Sequence, residues 1–340
     1  MHFINRKQET KELLDYLNSE SNAILFLYGP KSCGKSTLLK KIIQEKIDIK
    51  KFAVSYINLR SVIIYNFKTF LDIFFQNKKR FFQKVKQVIK GITINAGFFE
   101  VGLRDKLMLK KNAFKIMEDQ IIKSNKKGIK PVIIIDEIQE LKSIYMNGER
   151  NLLNELFNFF ISLTKQNHLA HVILATSDSC FLEEIYANAK LAKTCQFYLI
   201  NHLEKKDIEK WLKLEGLKNK KDIDYVWNNL GGSPWEIQQV LIDLKNKRSL
   251  KNAMERVTKD LLGRIRLFYQ DRVGDKNEQN KFKKVSQEIA KKGFYQKKDN
   301  DNLRDLIKEA TENDIWFFEA AENKIKANSK SIENIFKKIF

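Results

Sequence analysis

Residues that break or cross-link chains are scarce in this 340-residue sequence: proline occurs 3 times, cysteine 3 times and glycine 13 times. Few breakers predict long helices and little room for flexible linkers. Cys33, Cys180 and Cys195 are odd in number and far apart, which excludes a disulfide framework and a CxxC metal knuckle. His2, His168, His171 and His202 show no metal spacing with them. No apolar run approaches the length of a membrane span, and the opening MHFINRKQET lacks the apolar core of a signal peptide. These absences predict a cytoplasmic protein with no membrane partner.

Acid is also in short supply. Asp and Glu number 42 against 63 Lys and Arg, a formal charge of +21. Such a balance attracts nucleic acid through its summed potential. Only 11 of those 63 basic residues are arginine, the better phosphate fork. A Lys-rich surface produced by genome composition or by thermophilic solvation gives the same profile, so both readings stay open. With hydrophobic residues at 43%, the chain is long and apolar enough for two or three packed domains.

The order of elements is more informative. An amphipathic helix is expected over residues 8–18, with Leu13, Leu14 and Leu17 on one side. Short apolar runs then read as buried strands at 23–28, 52–59, 132–135, 172–175 and 197–200, with helical patterns such as 151–163 between them. Alternation of strand and helix predicts an α/β fold, a parallel sheet with helices on both faces. Residues 67–90 look helical, with six basic residues and no acid over 76–90, and 91–102 suggests a small hairpin. The chain turns helical over 203–247. Residues 250–340 then read helix, helix, helix, hairpin, helix, an order that suits a winged helix.

The first strand runs into Gly29-Pro30-Lys31-Ser32-Cys33-Gly34-Lys35-Ser36-Thr37, which fits GxxxxGK[ST] at every fixed position and opens a helix. The glycines let backbone N–H groups curl round phosphate oxygens, and the helix start adds its positive end. Lys35 is expected to reach the β and γ phosphates, and the Ser36 hydroxyl to ligate Mg2+. Asp136-Glu137 ends an apolar strand on the same sheet edge. Asp136 suits the metal, and Glu137 suits polarisation of the attacking water. Thr176 and Ser177 end another strand there. Either hydroxyl can serve the γ phosphate or merely cap the following helix.

These pieces resemble the archaeal ATPase family, P-loop proteins lying between AAA+ replication-initiation ATPases and signalling STAND ATPases. The resemblance rests on Phe3-Ile4-Asn5-Arg6, LYGPKSCGKSTLL, GITINAGFFEVG, PVIIIDEIQEL, LATSDS, GGSPWEI and NDIWFFEAAENKIKANSKSI, and so spans nearly the whole chain. It implies ATP as ligand, with Asn5 and Arg6 on its adenine side. It also implies that Gly232, Ser233 and Pro234 belong to a helical lid, and that the last segment is a winged helix. Two departures stand out. Where relatives carry a Gly-Arg pair before the fifth strand, this chain offers only Lys193. Where a lid arginine is usual, it has Trp235.

The expected organisation is a P-loop core over 1–202, a lid over 203–247 and a winged-helix domain over 248–340. The expected function is a Mg-dependent ATP switch with slow basal hydrolysis, in which a protein partner supplies the missing charge. DNA is a candidate partner, but not through the recognition helix near 300–314. That stretch holds Arg304 and Lys308 against Asp301, Asp305, Glu309, Glu312 and Asp314. The alternatives are a DNA-associated module with ATP as a structural ligand, and a P-loop kinase.

Overall fold

The fold is taken from a computed structural model. It describes Ile4 and residues 6–74, 105–146, 148–189, 191, 193–272, 274–298 and 300–340. Most of the expected basic helix, the hairpin at 91–102 and Asn5 lie outside them.

Helix α1 (Lys7–Asn18) precedes strand β1 (Ile24–Tyr28), helix α2 (Lys35–Glu45), strand β2 (Phe52–Asn58) and helices α3 (Phe67–Phe74) and α4 (Asp105–Lys126). Strand β3 (Lys130–Asp136), a two-stranded ribbon of β4 (Tyr145–Met146) and β5 (Arg150–Asn151), and helix α5 (Leu152–Ile161) follow. Strand β6 (His171–Thr176), helix α6 (Ser179–Ala187) and strand β7 (Cys195–Leu199) complete the sheet region.

The main sheet has five strands in the order β2-β3-β6-β1-β7, all parallel. Parallel strands need crossovers, and here helices cover both faces, so the inner strands β3, β6 and β1 are buried in both directions. The alternation is explicit in β1. Ile24, Phe26 and Tyr28 join one core with α3 to α6, whereas Leu25 and Leu27 join another with α1 and α2. Ile133 and Ile135 of β3 split from Val132 and Ile134 in the same way.

Two expected boundaries are corrected. The last strand is Cys195–Leu199 rather than 197–200, and Ile200 starts the exit loop. It is an edge strand whose residues are only partly buried, so no continuous apolar run marks it. Asn151 is the cap of α5, accepting from the Asn154 N–H, and the helix ends in a wide π turn over Ser162–Gln166.

Helices α7 (Lys205–Leu214), α8 (Lys220–Leu230) and α9 (Pro234–Lys245) come next. They are followed by α10 (Leu250–Leu267), α11 (Lys276–Lys292), strand β8 (Tyr295–Gln296) and α12 (Arg304–Glu312). Strands β9 (Trp316–Glu319) and β10 (Lys324–Ala327) and helix α13 (Lys330–Ile339) close the chain. The expected hairpin is present, and β8 adds a third strand in the order β8-β10-β9. The helix expected over 300–314 is shorter, because Leu303 and Asn313 bound it. One apolar cluster runs from α7 to α13, centred on Phe282, whose ring stacks on Trp316 at 4.9 Å between centroids.

Candidate functional site

The C-terminal edge of the main sheet gathers the residues singled out above. β1 ends at Tyr28, and Gly29 turns the chain. A Cβ on Gly29 would lie 2.0 Å from the Ile200 carbonyl oxygen, so only glycine fits this approach. Ser32 and Gly34 both take positive φ, at 62° and 102°, and curl the loop into α2. The orphan N–H groups at the start of α2 and its dipole then face the loop's interior. Lys35 is 5% exposed, and its Nζ donates to the carbonyls of Gly29 at 2.9 Å and Pro30 at 3.0 Å. The ammonium is therefore poised on the mouth of the loop. Cys33 is fully buried beneath it.

Arg6 is held almost fully buried. It donates to the Cys33 carbonyl at 2.6 Å and the Asn201 carbonyl at 2.8 Å, and it pairs with Glu9 at 2.6 Å. Its guanidinium braces the phosphate loop against the segment leaving β7.

β3 delivers Asp136 and Glu137 next to the loop. Asp136 is 1% exposed. Its Oδ2 accepts from the Tyr56 hydroxyl at 2.9 Å, while its buried Oδ1 has no partner. Burial pushes this carboxyl above its ordinary range, and the neighbouring Ser36 hydroxyl opposes the rise. An unpaired buried carboxylate oxygen beside the Ser36 hydroxyl is what a divalent cation requires, so these residues fit Mg2+.

Glu137 sits in the left-handed region at φ 63°, which turns its side chain off the strand. Its Oε2 accepts from Gln139 Nε2 at 2.6 Å and from the Ser177 hydroxyl at 3.1 Å, and its Oε1 meets Arg60 Nη1 at 3.1 Å. Arg60 Nη2 also donates to Ser177 Oγ at 3.2 Å. Of the two hydroxyl candidates, Ser177 is thus tied to Glu137. Thr176 donates to Gln139 Oε1 at 2.7 Å and accepts from the Asp178 N–H at 3.1 Å, a bridge and a turn at the strand end.

Tyr56, Arg60 and Gln139 did not emerge from the sequence. Tyr56 lies near the C-terminal end of β2 and Arg60 just beyond it, on the same sheet edge, and that position was the available signal.

Pro234 opens α9 after Ser233. Gly232 packs so closely that a Cβ would stand 1.8 Å from the Leu203 carbonyl oxygen. Trp235 is 37% exposed, with Arg264 5.8 Å from its ring centroid. Lys193 precedes β7 and lies at the opposite edge of the sheet, about 16 Å from the loop by strand rise. It does not reach this chain's own site.

A parallel sheet with a Gly-rich loop feeding a helix, and an acidic pair on the adjacent strand but one, defines a P-loop nucleotide-binding protein. Residues 3–240 match an ATPase domain found predominantly in Archaea. Among the relatives, one ATP-binding protein of Methanocaldococcus jannaschii is 37% identical over 335 residues, covering 97% of this chain and 96% of its own. Another from the same organism is 36% identical over 346 residues, covering 97% and 92%. The chain belongs to this archaeal ATPase family. Among solved structures, the Walker-type ATPase of Pyrococcus abyssi superposes with a TM-score of 0.65 at 16% identity, covering 98% of this chain and 96% of that one. The ORC2 protein of Aeropyrum pernix, in ADPNP and ADP complexes, gives 0.50 at 13% identity, covering 98% and 94%. Both likenesses concern the fold. No helix among the described residues is long and apolar enough to cross a membrane.

Proposed function

We propose that this protein binds ATP with Mg2+ and hydrolyses it slowly, as a switch that changes how its C-terminal half is held. The observation that carries this reading is the Glu137 carboxylate, fixed by Arg60, Gln139 and Ser177 one residue beyond an Asp136 whose inner oxygen is unpartnered. A binding-only site has no use for a second, separately oriented carboxylate. The names of the relatives, which are ATP-binding proteins, support adenine.

In this reading the loop N–H groups and Lys35 hold the phosphates, and Lys35 exchanges its two carbonyl partners for phosphate oxygens. Ser36 and Asp136 hold Mg2+, which neutralises phosphate charge when bound. Glu137 orients the attacking water and accepts its proton. The helices of 203–247 act as a lid through Ser233 and Pro234, and 248–340 acts as a winged-helix unit.

Slow turnover follows from the cations. Arg60 is engaged with Glu137 itself, and Lys193 is remote. An arginine-type charge can be worth about 10³–10⁵ in rate, so a protein partner is the natural source of acceleration. DNA contact through α12 is disfavoured. That helix is flanked by acids, and Asp314 just beyond it pairs with Lys31 of the core at 2.8 Å.

The test is single-turnover ATP cleavage with Mg2+ for wild type, Glu137→Gln and Lys35→Ala. The expected result is cleavage by wild type, retained binding without cleavage in Glu137→Gln, and lost binding in Lys35→Ala. Wild-type protein that binds ATP and never cleaves it, alone or with DNA, would overturn the hydrolase reading. Intrinsic turnover of tens per second would overturn the slow one.

A further inference from the structure

A cleft of about 170 Å³ opens beside the phosphate loop, walled on one side by loops of the nucleotide-binding core and on the other by the end of α12. Arg60, Gln139, Ser177 and Lys31 come from the loops and turns at the C-terminal edge of the main sheet, and Glu312 and Asp314 come from the end of α12. The core side of this cleft contains the partners of Glu137, so it is where the terminal phosphate and the attacking water belong in the reading above. The α12 side is acidic.

Two of the described residues lining the cleft are cations. Arg60 is held by Glu137 at 3.1 Å and by Ser177 at 3.2 Å. Lys31 is held by Asp314 at 2.8 Å, with the two side chains 39% and 32% exposed. A pair this exposed is weak, because water screens it and two mobile side chains must be fixed to make it. A terminal phosphate carries more charge than one carboxylate and offers three acceptor oxygens. It competes well for the same ammonium.

The position of Lys31 favours that exchange. It lies between Pro30, whose carbonyl already takes Lys35, and Ser32, whose positive φ of 62° turns the loop. Its Cα is therefore fixed while its side chain is free to swing from Asp314 to the mouth of the loop. Once Lys31 moves to the phosphate, Asp314 loses its ion pair to the core, which weakens the hold on the α12 end.

We propose that Lys31 is a ligand of the ATP γ phosphate supplied from within the chain, held in reserve by Asp314, so that ATP but not ADP takes it over and releases the α12 end. This proposal rests on the nucleotide-site reading given above.

The experiment is calorimetric affinity for ATP and for ADP with Mg2+, in full-length Glu137→Gln protein so that ATP is not consumed. It compares this background with added Lys31→Ala, Lys31→Arg, Asp314→Asn and Lys35→Ala. The expected result is that Lys31→Ala weakens ATP about tenfold and leaves ADP within about twofold. Lys31→Arg should keep most of the ATP preference, and Asp314→Asn should strengthen ATP binding severalfold. An unchanged ratio of ATP to ADP affinity in Lys31→Ala overturns the proposal. So does an equal loss in Asp314→Asn, which would assign the pair a structural role. Nucleotide binding that survives Lys35→Ala would instead overturn the site reading itself, which separates the two failures.

Discussion

Arg60 and Glu137 form an ion pair at 3.1 Å, although they stand on different strands' ends and are 77 positions apart in the chain. The carboxylate is 7% exposed and the guanidinium 45% exposed. Counting Gln139 and Ser177, Glu137 accepts from three side-chain donors. With those donors in place, fewer of its lone pairs are open to an attacking water.

Arg60→Ala is therefore expected to raise single-turnover cleavage. The partly exposed pair is worth about 1 kcal/mol or less after screening, so the increase should be about fivefold or smaller. ATP affinity should stay within about twofold. Rapid-quench measurement at saturating ATP checks this. A tenfold fall in rate would show that Arg60 holds Glu137 in its working position instead.

Tyr56 makes a second prediction. Its hydroxyl, buried and 2.9 Å from Asp136 Oδ2, leaves Oδ1 as the open oxygen. Tyr56→Phe removes that donor with little change in shape. Groups that orient a metal ligand commonly control metal affinity by about 10–100-fold. The Mg2+ concentration for half-maximal cleavage should rise about tenfold in Tyr56→Phe, while ATP binding without metal is unchanged. A titration of rate against Mg2+ reads the first quantity, and calorimetry with ATP in the absence of metal reads the second.

How much of this could be read beforehand depended on sequence distance. The phosphate loop is contiguous, so the spacing of Gly29, Gly34, Lys35 and Ser36 carries the chemistry by itself. Strands β1, β3 and β6 were also legible, because a strand buried on both faces shows an unbroken apolar run. The edge strand β7 was read two residues late, since its partly exposed residues break that run. The two-residue strand β8 is too short to have a period. The pairs Arg60–Glu137 and Lys31–Asp314 were invisible for another reason. Charged residues are common, and nothing local marks which of them the fold will bring together.

Gly232 tests the joint between the core and the helices after it. The Leu203 N–H donates to the Gly232 carbonyl at 3.0 Å, and a Cβ on Gly232 would stand 1.8 Å from the Leu203 carbonyl oxygen. That obstacle is backbone and cannot swing aside. Gly232→Ala should cost roughly 3 kcal/mol or more. Gly34→Ala is the comparison, because an added Cβ there meets nothing within 4 Å and only the φ of 102° is unfavourable. It should cost about 1–2 kcal/mol. Urea unfolding of both variants orders them. A milder effect for Gly232→Ala than for Gly34→Ala would show that the joint yields.

Glu236 connects α9 to the last helix and gives the protein a pH-dependent contribution of definite sign. It is 4% exposed and accepts a hydrogen bond from the Ser331 hydroxyl. Burial raises its carboxyl above the ordinary value of 4.5, outweighing the lowering effect of Ser329, Ser331 and Ser233. A carboxyl with a raised folded value binds its proton more tightly in the native state than in the unfolded one. Its contribution to stability is then complete below the unfolded value and is lost as pH rises through the folded value. Glu236→Gln resembles the protonated form at every pH, and its amide keeps an oxygen for Ser331. The variant should therefore melt at the same temperature as wild type near pH 4, and above it at pH 8. Scanning calorimetry at several pH values gives the gap directly. A gap that closes as pH rises would mean that the ionised carboxylate is the form these three hydroxyls stabilise, and that burial is the smaller effect.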